Sequence, residues 1–288
     1  MKYRKGLERS GRTLLLLSAL LSVVTVILIT LFIFSQGLPL FKDVSLWEFV
    51  SSTDWSPSAE SPHYGVFSFI YASFVVTFLS LLFALPLSLA TAIHLALFAK
   101  GKVKEVITMS VELLSGIPSV IFGLFGIAVI VPMVRALFGG NGYSLLSSSL
   151  ILAIMVMPTL INVSEVAIAS VSSELKEASY GLGATTAQTI FRAILPTARS
   201  GITAAIVLSL GRAVGETTAV LLVGGNAPLF PSSPVSMGRT LTMNIVTDMG
   251  YAEGTHMSAL FATAMLLFVV ILLLNGIVTF LSHRSRTK

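Results

Sequence analysis

Residues 202–223 read ITAAIVLSLGRAVGETTAVLLV, an apolar run whose only full charges are Arg212 and Glu216. About 20 residues at about 1.5 Å each match the hydrocarbon thickness of a bilayer, so this run is long enough to cross one as a helix. Both charges then fall near mid-membrane. Each costs about 2.5–3.5 kcal/mol to insert alone, so both are expected to face a protein interior or a wet cavity. Spaced four apart, they share one helix face and are expected to pair. Such a pair reads either as a structural bridge locking the helix to its neighbours or as a functional site.

Composition agrees with a membrane setting. Only 11% of residues are charged while 55% are hydrophobic, and several windows exceed 18 apolar residues, the pattern of a chain with many spans. The net charge of +5 does not imply nucleic acid, because the basic residues form no patch interleaved with aromatics. The absence of cysteine excludes disulfides, thiolate metal sites and cysteine nucleophiles. His63, His94, His256 and His283 have no metal-ligand spacing, and no nucleophile is paired with a base, so neither a metal site nor an enzyme is expected.

A basic amino terminus (1–13) precedes a charge-free run at 14–34, expected to be a retained first helix rather than a removed signal peptide. Residues 35–66 are polar and acidic and read as an outer loop, with Trp47 and Trp55 as interfacial anchors. The core, 67–281, is expected to hold spans at 67–97 (kinked at Pro86), 109–137, 145–171, 202–223 and 257–281. The third contains Gly116-Ile117-Pro118-Ser119, and Gly139-Gly140-Asn141-Gly142 forms a tight turn after it. A basic tail, 282–288, ends the chain. With the amino terminus inside, fourteen of the eighteen Lys and Arg lie on the cytoplasmic side, which predicts six helices and both termini in the cytoplasm. The fold class is therefore all-α and polytopic. No strong internal repeat supports an inverted-repeat carrier.

Residues 172–199 are too long for a turn and too charged for lipid. Thr185 and Gln188 have capping-box spacing, so two short helices broken at Gly183 are expected, with Pro196 stopping the second. Glu112 and Glu165 sit toward the cytoplasmic ends of spans three and four, where they read as snorkelling or packing residues or, as the alternative, as secondary residues of an exit pathway. Thr217 can line a path beside Glu216 or bond back to its own helix.

Glu177-Ala178-Ser179, then Gly183, then Leu195-Pro196 resembles the EAA loop of ABC-importer permeases, whose short coupling helix enters a cleft on an ATPase subunit. It departs from that pattern in Ser179, where Ala is usual, and Ala193, where Ile is usual. With Gly211-Arg212-Ala213-Val214-Gly215-Glu216-Thr217 and Gly116-Ile117-Pro118-Ser119, the chain from about Tyr64 onward is similar to phosphate-importer permeases of the PstC type.

The resemblance implies a membrane subunit that works with a second, PstA-type permease, two PstB-type ATPase subunits and a PstS-type periplasmic phosphate-binding protein. Phosphate would cross the inner membrane by alternating access. ATP and Mg are used by the ATPase, and this chain has no phosphate loop of its own. Arg212 is then expected to pair transiently with phosphate through two parallel donors, while Glu216 holds Arg212 between substrates and accepts a hydrogen bond from protonated phosphate, which disfavours sulfate. The alternatives are a permease for molybdate or phosphonate, an ion-coupled secondary carrier, and a scaffold that moves nothing.

Overall fold

In the computed structural model, which describes residues 2–284, the chain is a helical bundle with one small folded cap. The expected basic tail extends past the described residues at 285–288. Helix α1 (Lys2–Gly37) exposes apolar side chains on every side from Leu14 to Phe32, the surface of a helix solvated by lipid. It meets the bundle only near its end. A Cβ on Gly37 would lie 2.7 Å from Met265 Sδ and 2.9 Å from the Ala262 amide, so glycine is what permits this approach.

Residues 38–66 form a cap rather than a loop. A 3-10 turn (Leu38–Lys42) and α2 (Leu46–Ser51) lead to an antiparallel pair, β1 (Trp55–Ser56) and β2 (His63–Tyr64). Leu40, Phe49, Trp55 and Tyr64 are buried in one cluster with Phe69, Ala259 and Leu260. The expectation that both tryptophans anchor an interface is half overturned: Trp47 is exposed, but Trp55 is only 6% exposed and belongs to the core.

Helix α3 (Phe67–Leu97) continues through Pro86. Its buried face repeats every fourth residue, at Ala72, Val76, Ser80, Ala84, Ser88 and Ala92. Small residues in an i, i+4 row let two backbones come close, and this row lies against Leu152, Val156, Leu160 and Ile168 of α7 (below).

The expected third span, 109–137, divides. Helix α4 (Gly101–Gly116) ends where Ile117 and Pro118 turn extended, with ψ of 127° and 143°. The span proper is α5 (Ser119–Phe125), a π-turn (Gly126–Ile130) and α6 (Val131–Phe138). Gly139, Gly140 and Gly142 then take φ of +78°, +70° and +83°, the left-handed turn that their sequence predicts. Helix α7 (Leu145–Ala169) runs back through Pro158.

Helices α8 (Ser173–Gly181) and α9 (Thr186–Thr189) flank Gly183, whose φ is +80°, and the Thr185–Gln188 capping box is present as expected. Pro196, however, does not stop a helix. Helix α9, a π-turn (Ile190–Ile194) and α10 (Leu195–Gly215) run on continuously. A proline removes a donor and crowds the carbonyl four residues back. Widening the preceding turn accommodates it, with Leu195 N–H bonding to Ile190 O. The same device precedes Pro132, where Val131 N–H bonds to Gly126 O.

Three helices complete the chain: α11 (Thr218–Val223), α12 (Leu241–Asp248) and α13 (Gly254–Arg284). Among the described residues, six helical stretches are long and apolar enough to cross a membrane: Gly11–Lys42, Phe67–Leu97, Ser119–Phe138, Leu145–Ala169, Thr186–Gly215 and Gly254–Ile277.

Ala84 sits at 0% exposure in the tight row of α3. Ala84→Leu is expected to lower the melting temperature of the purified protein, since overpacking costs about 1–3 kcal/mol; Phe74→Leu, at an exposed position of the same helix, should leave it nearly unchanged.

Candidate functional site

The apolar run 202–223 is not one helix. Helix α10 ends at Gly215, Glu216 is extended with ψ of 135°, Thr217 is non-helical, and α11 begins at Thr218. The turn separates the two charges, and no Arg212–Glu216 ion pair is present among the described residues. The expectation that Glu216 holds Arg212 is overturned. Glu216 Oε1 instead accepts the Ala219 amide at 3.1 Å, satisfying one of the free donors that open α11. Arg212 lies in the last turn of α10, where the unsatisfied carbonyls favour a cation. Each charge is thus matched to a helix end of opposite polarity rather than to its partner.

Arg212 is half-buried, and its guanidinium donates to Thr159 Oγ1 at 3.5 Å. Thr159 stands near the middle of α7, so Arg212 sits at mid-height of the bundle. Next to it on α10 runs an uncovered strip of Ala204, Leu208, Gly211 and Gly215, the two glycines having open space where a Cβ would be. Thr217 bonds back to Gly215 O at 3.3 Å, the local bond weighed above. Glu216, Ser73, Thr77 and Thr240 supply the polar lining of a small cavity beside the break, with room for about one water.

Around Gly183 the helix pair is held shut by a 2.9 Å hydrogen bond between the Ser179 and Thr189 hydroxyls, so the departure at Ser179 closes the pair. Ile190 and Ile194 fasten it to Ala92 and Ile168 of the bundle. Glu177, Ala178, Gly183 and Pro196 are exposed, and Leu195 is half-buried against the same cluster. Tyr180, Leu182 and Phe191 are exposed as well, Leu182 to 90%. The result is an apolar knob on one end of the bundle, flanked by Glu174 and Glu177 on one side and Arg192 on the other. Glu165 is fixed by a 3.0 Å salt bridge to Lys104 of α4. Glu112 does not belong to span three; it is exposed on α4, before the bend.

At the opposite end lies a cluster that sequence reasoning missed. Asp248, 1% exposed, accepts from Trp55 Nε1 (2.9 Å), Arg239 (3.0 Å) and the Tyr251 hydroxyl (2.7 Å), and lies 3.3 Å from His256 Nε2. Burial pushes its carboxyl up, but the Tyr251 and Trp55 hydrogen bonds and the charges of Arg239 and His256 outweigh this and hold it below the usual carboxylate value. Tyr251 is correspondingly raised, first by its bond to Asp248. A clue did exist: Asn244 and Asp248 are four apart on a short capped helix, and Arg239 reaches both.

The family model for binding-protein-dependent transport system inner membrane components matches residues 84–287. The chain belongs to that family. The likeness extends to a probable ABC transporter permease protein, YqgH, of Bacillus subtilis, 38% identical over 97% of this chain and 92% of that one. It also extends to the phosphate transport system permease protein PstC of Mesorhizobium japonicum, 33% identical over 83% of this chain and 79% of its own length. Among solved structures, a bacterial ABC transporter involved in the import of alginate shares the fold, with a TM-score of 0.64 at 20% identity, covering 99% of each chain. The chain is therefore a multi-pass inner-membrane permease of an ABC importer, working with a paired permease, ATPase subunits and a binding protein; it is not itself the catalyst and binds no cofactor, ATP being used by the separate ATPase.

Capping and pairing make opposite demands on Glu216. Glu216→Gln keeps the acceptor for Ala219 and should preserve thermal stability to within about 0.5 kcal/mol, whereas Glu216→Ala should cost about 1 kcal/mol, a typical loss on removing a cap. Equal losses in melting temperature for both variants would argue for charge pairing instead.

Proposed function

We propose that this permease carries inorganic phosphate and is of the PstC type. What carries the reading is Arg212: a guanidinium at mid-height of the bundle, without an anionic partner among the described residues, beside an uncovered strip of small residues. A planar fork of donors that stays charged at every physiological pH suits a tetrahedral oxyanion. A single partly hydrated guanidinium also releases what it binds, as a pathway requires. Relatives named as phosphate permeases support the choice of anion. Glu216 keeps one oxygen on Ala219 and offers the other to a protonated phosphate oxygen, while Thr217 shapes the turn.

The second permease, of PstA type, faces the strip Ala204, Leu208, Gly211 and Gly215, so that the passage runs between the two chains beside Arg212. Both termini and the α8–α9 pair lie in the cytoplasm, where Glu177, Ala178, Tyr180 and Leu182 enter a cleft of a PstB-type ATPase. Leu195 and Pro196 join that docking element to the span. The cap and α12 then face the periplasm, where a PstS-type protein delivers phosphate. Glu165 with Lys104 braces α4 against α7 rather than lining the exit.

Uptake of labelled phosphate into vesicles holding the whole complex tests the anion. Arg212→Gln is expected to reduce it about 10- to 100-fold, as for loss of a charged hydrogen bond worth about 1.5–3 kcal/mol, with ATPase subunits still bound. Normal uptake would end the proposal, and stronger competition by molybdate or phosphonate than by phosphate would move it to those anions. For the docking element, Leu182→Asp should weaken co-purification of the ATPase at least about 30-fold, the loss of an interface anchor; undiminished co-purification would place docking elsewhere.

A further inference from the structure

Helix α12 is held at both ends. At its amino end the Leu241 amide donates to Ser73 Oγ of α3 at 3.0 Å, and the Thr242 hydroxyl donates to the Glu216 carbonyl at 2.9 Å, directly on the break in span five. At its carboxyl end Asp248 gathers Trp55 of the cap, Tyr251, and His256 of α13. Arg239 ties the two ends together: one guanidinium nitrogen bonds both Asn244 Oδ1 and Asp248 Oδ1 at 3.0 Å, and the group also reaches the Asn226 carbonyl at 3.4 Å, in the loop after α11. The helix is a strut between the candidate passage and the cap. Trp55 lies outside the stretch that the family model matches, so the brace joins the amino-terminal extension to the shared core.

The seat is firm but not complete. Asn244 is fully buried, and its Nδ2 has no hydrogen-bond partner among the described residues. An unsatisfied buried donor favours any second position of α12 in which it meets water or a carbonyl. A clamp of four donors on one carboxylate opposes that movement, because withdrawing Asp248 would leave both it and Arg239 buried without a counter-charge.

We propose that Asp248, acting through Arg239 and Trp55, is a positioning residue that clamps α12 over the Glu216 junction and so keeps the periplasmic end of the passage closed until ATP drives the complex outward. This rests on the importer reading and on the orientation proposed above, but not on phosphate being the cargo.

The chain has no cysteine, so Met243→Cys, at a 1% exposed position of α12, gives a single thiol that reports seating. In the complete complex with its binding protein, a membrane-impermeant maleimide applied from the periplasmic side is expected to label that thiol at least about fivefold faster when Asp248→Asn is added, the low end of ordinary coupling between sites. The ratio of binding-protein-stimulated to unstimulated ATP hydrolysis should fall by a similar factor. Trp55→Phe, which removes one N–H and keeps an aromatic ring, should move both readings the same way by less, and it carries the test if Asp248→Asn does not assemble. Unchanged labelling with an unchanged ratio overturns the clamp. So does an equal fall in stimulated and unstimulated hydrolysis with unchanged labelling, which is what a role in stability alone gives. Failure of phosphate to stimulate the parent complex would sink the phosphate reading and leave the labelling result standing.

Discussion

A helix that stops inside a bundle must satisfy the backbone groups it leaves open, and this constraint organises span five. Helix α10 ends at Gly215, where its last carbonyls lose their helical amides, and α11 opens at Thr218, where its first amides have no preceding turn to bond. Arg212 stands in the last turn of the first, and Glu216 bonds an amide of the second. Two charges that would neutralise one another on an unbroken helix are each assigned to a helix end. The guanidinium keeps its capacity to bind an anion, and the carboxylate keeps the turn in place.

The break has consequences in both directions along the molecule. Toward the α8–α9 end, the chain is helical without interruption from Thr186 to Gly215, so the exposed Phe191 and the guanidinium of Arg212 stand on one rod, softened by a single π-turn at Ile190–Ile194, while Leu182 joins it across the turn at Gly183. Toward the other end, the Glu216 carbonyl receives Thr242, and α12 carries the connection on to Asp248 and the cap. The exposed α8–α9 pair, the charged break and the Asp248 brace are therefore linked by bonded elements rather than by proximity alone.

Much of this was legible in the sequence, and the failures have physical causes. Apolar run length marked six spans, and the capping box at Thr185 with Gly183 before it marked the helix pair, because both signals are local. Hydrophobicity alone does not distinguish a continuous helix from a broken one: 202–223 and 109–137 are both long and mainly apolar, yet each divides where glycine meets a residue in extended geometry, at Gly215-Glu216 and at Gly116-Ile117. Gly215 followed by Thr217 and Thr218 carried the stop and restart signals, which the length of the run masked. Pro196 misled in the opposite sense, since a π-turn lets a helix pass through proline. The Asp248 cluster left only the Asn244–Asp248 spacing as a clue, because its donors come from Trp55, Arg239, Tyr251 and His256, and only the folded cap brings Trp55 to the other three.

The central claim is that span five stops at Gly215 and thereby frees Arg212 for the transported anion. A density map of the complete transporter, with both permeases, the ATPases and phosphate present, tests it most directly. The expected map has α10 ending at Gly215, Glu216 on the Ala219 amide, and the Arg212 guanidinium facing the passage between the permeases within hydrogen-bond reach of phosphate. A helix continuous through Glu216, with Arg212 paired to it and turned away from the passage, would contradict the claim.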